Sequence, residues 1–182
     1  MALAAVFLGS PGWSADLATI LASTAVEPPA RIGFREERHN PMFKEPMVLA
    51  GRLEYLDSGT LRKVVEIPFE EDILVQANRV IVTRDGKTRK LSLNRSRALK
   101  TILGAIEAVL AGNQERLEES FLCDVAATDD GWSLHMTPLS KGVAKRLSGL
   151  QVTGNEQAVT SIRINLPNDE WHLMRIGDEL PK

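Results

Sequence analysis

The stretch that most constrains the fold runs from Met47 to Thr83, where short apolar segments alternate with turn residues. In its first segment every second residue from Met47 to Tyr55 is apolar or small, while the intervening Arg52 and Glu54 are charged. This period of two is typical of a strand with one face in the core and the other in water. The sequence therefore predicts an antiparallel meander whose apolar face must be covered by another part of the chain.

Turn residues divide the meander into strands. Asp57-Ser58-Gly59 predicts a turn, because glycine tolerates positive φ and the Asp and Ser side chains bond their own backbone. Pro68 ends a strand, since proline cannot donate to a sheet ladder. Asp85-Gly86 is a strong hairpin signal. The strands predicted for the meander are 47–55, 61–67, 73–76 and 80–83.

Length and charge exclude several classes of protein. The 182 residues suffice for one buried core and are too few for two comfortable domains. The formal net charge of −2 and the pI near 6.0 give no general attraction for phosphate backbones, so a nucleic-acid partner is not expected. Cys123 alternates with Phe121 and Val125, a pattern that favours a buried small hydrophobe over a nucleophile.

The sequence offers little for catalysis. It contains no Gly-rich phosphate loop and no nucleophile elbow, and its acidic clusters lie in predicted turns rather than in a defined acid/base pair. No metal-ligand spacing relates the three histidines to one another or to the cysteine. They are His39, His135 and His172. We therefore expect no enzyme, no catalytic residue, no metal and no other cofactor, and we place His135 on a solvent-facing strand surface.

The N-terminus is typical of a targeting segment. Residues 1–9 are an apolar run too short to span a bilayer, and a helix-breaking segment with small residues follows. A signal peptide over 1–14 is predicted, which leaves one exported, soluble domain at 15–182. The alternative is a plain apolar N-terminal helix, because the first basic residue is Arg31.

Helices are predicted at two points. A short amphipathic helix begins after Asp16 and ends before Pro28-Pro29. A second helix begins near Ser96 and ends at Gly112-Asn113, with an apolar stripe at helical spacing that could lie across the sheet. Strands resume after it. The predicted fold class is mainly β with helices (α+β), an unclosed antiparallel β-barrel (half-barrel) of about 9 to 11 strands capped by both helices.

The order and spacing of several short segments resemble the periplasmic outer-membrane lipoprotein carriers, the LolA family. The resemblance covers nearly all of 15–182 and is that of a divergent LolA-related member, with departures at Ser58-Gly59 and Ala77-Asn78. The matching segments are Phe34, Phe43-Lys44-Glu45-Pro46, Gly51-Arg52-Leu53-Glu54-Tyr55-Leu56, Leu61-Arg62, Ile67-Pro68, Ile73-Leu74-Val75, Gly131-Trp132-Ser133-Leu134-His135-Met136-Thr137-Pro138 and Ile162-Arg163-Ile164.

The resemblance implies a function. Family members shelter the acyl chains of lipoproteins in a hydrophobic cavity under a helical lid. By resemblance we expect a monomeric periplasmic carrier or chaperone that binds lipoprotein acyl chains or another lipid. It would receive them from an inner-membrane donor complex and pass them to an outer-membrane acceptor. A lipid-sensing regulatory module or a small enzyme on the same half-barrel is the alternative, because fold does not determine function.

The candidate site residues follow from the strand and helix patterns combined with the resemblance. The predicted cavity wall comprises Leu49, Leu53, Tyr55, Val65, Ile67, Val80, Val82, Trp132, Leu134, Ile162 and Ile164. The predicted lid comprises Leu99, Ile102, Leu103, Ile106 and Leu110. The alternative is that these side chains pack against one another as a closed core.

Arg62 is a separate case. The resemblance implies that Arg62 is a latch bonded to the lid, and the alternative is a surface arginine. The two predictions for this strand conflict. If Arg62 points inward as a latch, strand alternation directs the predicted wall residues Val65 and Ile67 outward.

Overall fold

The computed structural model describes residues 16–177, and the predicted signal peptide at 1–14 lies outside that range. Within it, eleven strands form one antiparallel sheet. The strands are β1 (Ala30–His39), β2 (Met47–Asp57), β3 (Thr60–Ile67), β4 (Glu71–Gln76), β5 (Arg79–Arg84), β6 (Lys87–Ser92), β7 (Phe121–Thr128), β8 (Gly131–Pro138), β9 (Gly149–Gly154), β10 (Val159–Asn165) and β11 (Trp171–Ile176). The helices are α1 (Leu17–Ser23), α2 (Arg97–Leu110), α3 (Gln114–Glu118), α4 (Lys141–Ala144) and a 3₁₀ turn at Leu93–Arg95.

The sheet is open. Its strand order is β6-β5-β4-β3-β2-β1-β11-β10-β9-β8-β7, so β6 and β7 are its two edges and are not paired with each other. Only the 3₁₀ turn, α2 and α3 lie between β6 and β7 in the sequence. This helical segment therefore passes from one edge of the sheet to the other. The predicted fold class, an unclosed antiparallel barrel capped by helices, is confirmed.

Strand register defines two faces, because directly opposed residues of neighbouring strands share a face. Leu134 of β8 opposes Val152, which opposes Ile162. Buried residues of all the α-helices pack in one cluster with these side chains. We call this the concave face and the opposite one the convex face. The same register continues through β11 and β1, where Glu36 opposes Leu49.

Local sequence sets the ends of α2. The Ser96 hydroxyl accepts a hydrogen bond from the Leu99 amide at 3.3 Å, which caps the first turn. At the other end Gly112 has φ +66°, its amide bonds the Val109 carbonyl, and the Asn113 amide bonds the Ala108 carbonyl at 2.8 Å. This is a Schellman ending, in which glycine takes the left-handed position. Both predicted helix limits are confirmed.

The core is divided in two. The larger cluster joins the helices to β7–β10, and α2 enters it with its small side chains Ala105, Ala108 and Val109. A smaller cluster on the concave face of β1–β3 is built on Phe34, Leu49 and Val65. Helix α2 therefore docks closely on one half of the sheet by means of small residues.

Candidate functional site

The register brings most of the predicted cavity wall to one face. Ten of its eleven residues lie on the concave face, because each opposes another member of that face on a neighbouring strand. The ten are Leu49, Leu53, Tyr55, Val65, Val80, Val82, Trp132, Leu134, Ile162 and Ile164. Several are fully buried in the two clusters, whereas Leu53, Val82 and Ile164 are half-buried.

Ile67 is the exception. Val65 opposes Gly51 whereas Ile67 opposes Ala50, so three residues of β3 span two of β2 and Glu66 is the extra one. A bulge of this kind shifts the alternation by one residue. Ile67 therefore points to the convex face, where it is 47% exposed, and its predicted place in the cavity wall is corrected.

Arg62 also lies on the convex face. It opposes Glu54 and Leu74, one residue out of step with the inward Leu61 and Lys63. Its Nε lies 3.0 and 3.1 Å from the two carboxylate oxygens of Asp72, and its Nη1 lies 3.4 Å from Glu54 Oε2. The predicted bond from Arg62 to the lid is therefore corrected, since its guanidinium is held by the strand carboxylates Asp72 and Glu54 and not by α2.

The predicted lid residues divide between two environments. Ile102 and Ile106 pack against the larger cluster. Leu99, Leu103 and Leu110 are half-buried and belong to neither cluster. The apolar stripe predicted for α2 therefore includes residues that do not face the core. The close contact with the core is made by the small side chains Ala98, Ala105 and Ala108. The remaining leucines leave an apolar edge of α2 in partial contact with solvent.

A cavity of about 310 Å³ lies beside this edge, between α2 and the ends of β3 and β4. This volume is at the lower end of the range of small-molecule pockets. Its apolar lining is Leu61, Val75, Ala77, Leu93, Leu103, Ala105 and Phe121. Charged side chains line it as well, namely Arg97, Lys100, Glu107, Arg116 and Glu119. At its rim Arg116 of α3 donates to Glu107 of α2, with Nη2 and Oε2 at 2.6 Å.

Further along the concave face, apolar side chains are incompletely covered. Leu61 and Val75 line the cavity, and Ile73 and Val82 oppose each other one step along the same strands. All four are half-buried. Together they extend the apolar surface from the cavity along β3, β4 and β5. This surface is where an apolar ligand would gain most from burial.

A buried carboxylate stands on the same face. Glu36 is 3% exposed and is bonded by Lys63 and by two nitrogens of Arg38, with Nε to Oε1 at 3.0 Å and Nη2 to Oε2 at 3.2 Å. Burial acts to raise the pKa of Glu36, but the charges and hydrogen bonds of Lys63 and Arg38 prevail and lower it. Burial lowers the pKa of Lys63, and Glu36 opposes that shift. His172 Nδ1 lies 3.7 Å from Glu36 Oε1.

The sequence contains a signal for this cluster that the apolar pattern obscures. Glu36 shares its alternation with Ile32 and Phe34, and Lys63 shares its alternation with Leu61 and Val65. Opposite charges on the inward positions of two strands that flank a third indicate a cross-strand ion pair.

The cysteine and the histidines occupy ordinary positions. Cys123 was predicted to be buried and is half-buried, packed against the larger cluster. Burial raises its pKa to about 11, which disfavours the reactive thiolate. His135 is exposed on the convex face, as predicted, and its Nε2 lies 3.1 Å from Ser133 Oγ. Across residues 16–177 no three His, Cys, Asp or Glu side chains are grouped so as to hold a metal ion.

One family model matches residues 9–169 of the chain, that of the outer membrane lipoprotein carrier protein LolA-like family. The chain belongs to this LolA-like family. The description of this family is that of LolA-like lipoprotein carrier proteins. A search of curated protein sequences gave no match to the chain.

Solved structures similar to this LolA-like chain include three bacterial proteins of low sequence identity. A LolA superfamily protein from Nitrosomonas europaea has 11% identity and a TM-score of 0.49, with 91% of this chain and 93% of that chain covered. The lipoprotein LppX from Mycobacterium tuberculosis has 10% identity and a TM-score of 0.45, with 91% and 97% covered. LprF from Mycobacterium bovis has 8% identity and a TM-score of 0.37, with 91% and 96% covered.

None of the helices between residues 16 and 177 of the LolA-like chain is long and apolar enough to cross a membrane.

Proposed function

We propose that this LolA-like protein is a periplasmic carrier that shelters the acyl chains of lipoproteins, or of a related lipid, and moves them towards the outer membrane. Membership of a lipoprotein-carrier family supports the proposal. The observation that carries it is the cavity of about 310 Å³ between α2 and the concave face. Its apolar lining continues into half-buried strand residues, so a chain longer than the cavity would still find apolar surface.

The energetics suit reversible carriage. Each methylene taken out of water contributes about 0.8 kcal/mol, so about ten methylenes contribute roughly 8 kcal/mol before the cost of association. That is enough to hold an acyl chain during transit, yet it permits release to an acceptor that buries the chain better. No covalent step is needed.

The way α2 docks supports a role as a lid. Its small residues contact the larger cluster, while Leu99, Leu103 and Leu110 lie outside both clusters. The Val26 amide bonds the Leu110 carbonyl at 2.8 Å, which ties the C-terminal end of α2 to the segment after α1. Rotation of α2 about this end would open the cavity without separating any pair of strands. We propose the five predicted lid residues in this role on those grounds.

The proposed partners rest on the resemblance to the lipoprotein carriers and not on a surface of this chain. We propose an inner-membrane donor complex and an outer-membrane acceptor, with one exported domain over 15–182 acting as a monomer. None of the predicted wall residues lines this cavity, and the half-buried Leu53, Val82 and Ile164 are those whose exposed surface an acyl chain extending along the concave face would contact. Arg62, on the convex face, is not included among them.

Native mass spectrometry of the protein purified from the periplasm of its own organism tests the proposal. We expect a mass increment that organic extraction identifies as an acylated protein or lipid. A control protein of similar size purified in parallel should carry none. Repeated recovery of the bare chain, under conditions that retain lipid on a known carrier, would contradict the proposal.

A further inference from the structure

We propose that Lys63 and Arg38 form an oxyanion subsite on the concave face, which binds the carboxylate or phosphate headgroup of an amphiphile whose chain occupies the cavity. The inference rests on the proposed function and adds a chemical class to the ligand: an anionic amphiphile rather than a neutral one.

The subsite lies next to the cavity. Leu61 lines the cavity, and Lys63 follows it on the same face of β3. Two residues of a strand span about 7 Å, so Lys63 lies about 7 Å along β3 from Leu61, just outside the cavity. Lys63 Nζ also lies over the Phe34 ring, 4.6 Å from its centroid, which places it against the smaller cluster. A chain in the cavity would direct its polar end along β3 towards Lys63.

The two cations keep donors that Glu36 does not use. Arg38 has five N–H donors and gives one from Nε and one from Nη2 to Glu36. Lys63 has three donors and bonds Glu36 as well. Their side chains are 32% and 15% exposed, whereas that of Glu36 is 4% exposed. The carboxylate is therefore less exposed than either cation, and both cations keep unused donors on the concave face.

The charges around Lys63 balance without a ligand. The concave face carries the cation Arg38 and the carboxylates Glu36 and Glu71 beside it, and the more distant Arg84 pairs with Asp85, with Nε and Oδ2 at 3.6 Å. The subsite therefore rests on the donors of Lys63 and Arg38 that Glu36 does not use. Burial lowers the pKa of Lys63, so a ligand oxyanion beside it would stabilise its charged form by charge-assisted hydrogen bonds.

Isothermal titration of the whole chain with matched ligands tests the inference. The ligands are dodecanoic acid, monododecyl phosphate and dodecanol, which share one alkyl chain, with inorganic phosphate alone as the chainless arm. We expect both anionic amphiphiles to bind about tenfold or more tighter than dodecanol, and inorganic phosphate not to bind measurably.

The variants locate the effect. Lys63→Met should abolish the preference for the anionic amphiphiles and leave dodecanol unchanged. Because Lys63→Met leaves Glu36 with one cation fewer, the double variant Lys63→Met with Glu36→Gln removes the charge pair together and should show the same loss. Arg52→Met is the matched control, since Arg52 is a convex-face arginine bonded to Glu54 and Glu66. It should retain the preference.

The outcomes separate the two proposals. Equal affinity of wild type for acid and alcohol, or a preference that survives Lys63→Met, would overturn the subsite and leave carriage standing. Binding of inorganic phosphate that depends on Lys63 would overturn the assignment to an amphiphile headgroup. Failure of every alkyl ligand to bind would contradict carriage and the subsite together.

Discussion

Val65 and Ile67 are two residues apart in β3 yet point to opposite faces of the sheet. Val65 is fully buried in the smaller cluster, whereas Ile67 is 47% exposed on the convex side. Glu66 is the extra residue of a bulge opposite the step from Ala50 to Gly51. The bulge ends the inward alternation of β3 at Val65, so the concave face loses one apolar residue that simple alternation assigns to it.

Gly51 is needed at this bulge. A Cβ there would lie 1.9 Å from the Val64 carbonyl oxygen, so the neighbouring backbone would have to move. We expect Gly51→Ala to lower the free energy of unfolding by about 1–3 kcal/mol, as overpacking does. Urea denaturation of the variant and the wild type measures this difference in the free energy of unfolding. Gly142→Ala is the control, because its Cβ would meet only Ser140 Oγ at 3.7 Å, and a loss as large in the control would refute the steric explanation.

Arg62→Ala distinguishes a latch from a surface arginine. The guanidinium is bonded to Asp72 and Glu54 on the convex face, and its side chain is 38% exposed. Ion pairs of this exposure contribute little, so we expect a stability loss below about 1 kcal/mol and an unchanged affinity for dodecanol. Titration calorimetry of the variant measures the affinity. A tenfold change in affinity with stability preserved would return Arg62 to the role of a latch.

His172 predicts a pH dependence of stability. Burial, aided by the charge of Arg38, lowers the pKa of His172 from its ordinary value of 6.5, and Glu36 opposes this shift. Between the folded pKa and about 6.5 the unfolded chain holds a proton that the folded chain lacks. The free energy of unfolding should therefore decrease as the pH falls below about 6.5.

Urea denaturation at about pH 7.5 and about pH 5.5 measures this dependence. The wild type should lose more stability between the two than His172→Gln. The lowered pKa of Glu36 also stabilises the fold, and this contribution is lost at more acidic pH, as the pH falls through the folded pKa of Glu36. The His172→Gln variant should still show this second loss of stability. An identical pH dependence in both proteins would refute the role of His172.

The general architecture could be predicted from the sequence because its signals are local. Turn residues such as Gly59 and Pro68 set the limits of strands, and Ser96 and Gly112 set those of α2. These effects depend on backbone conformation and on hydrogen bonds between near neighbours. The apolar face of the predicted sheet needed a cover, which assigned the helices to it, and the order of the strands confirms an open sheet.

The site was less predictable because its details depend on pairing between strands. The bulge at Glu66 exists only in the register of β3 with β2, and it turns Ile67 outward. The conflict over Arg62 is resolved by the regular pairing of Arg62 with Glu54 and Leu74, which directs Arg62 outward and Val65 inward. Hydrophobicity also favoured the leucines of α2 over Ala105 and Ala108, although close helix packing selects small side chains. A buried Glu36 beside Lys63 interrupts the apolar pattern and was therefore missed.

Gly104 offers the most direct test that α2 and the sheet enclose the ligand. It lines the cavity, and an added Cβ would have no heavy atom within 4 Å. Gly104→Leu should fill part of the cavity while removing a mid-helix glycine, which raises helix stability by roughly 0.5–1 kcal/mol. Gly142→Leu is the control, because Gly142 is exposed in α4.

The measurement is the affinity for dodecanol by titration calorimetry, taken together with the thermal midpoint. We predict that Gly104→Leu binds at least about tenfold more weakly while its midpoint is equal to or above that of the wild type, and that Gly142→Leu binds normally. An unchanged affinity in Gly104→Leu would contradict the central claim that the cavity beneath α2 holds the apolar chain.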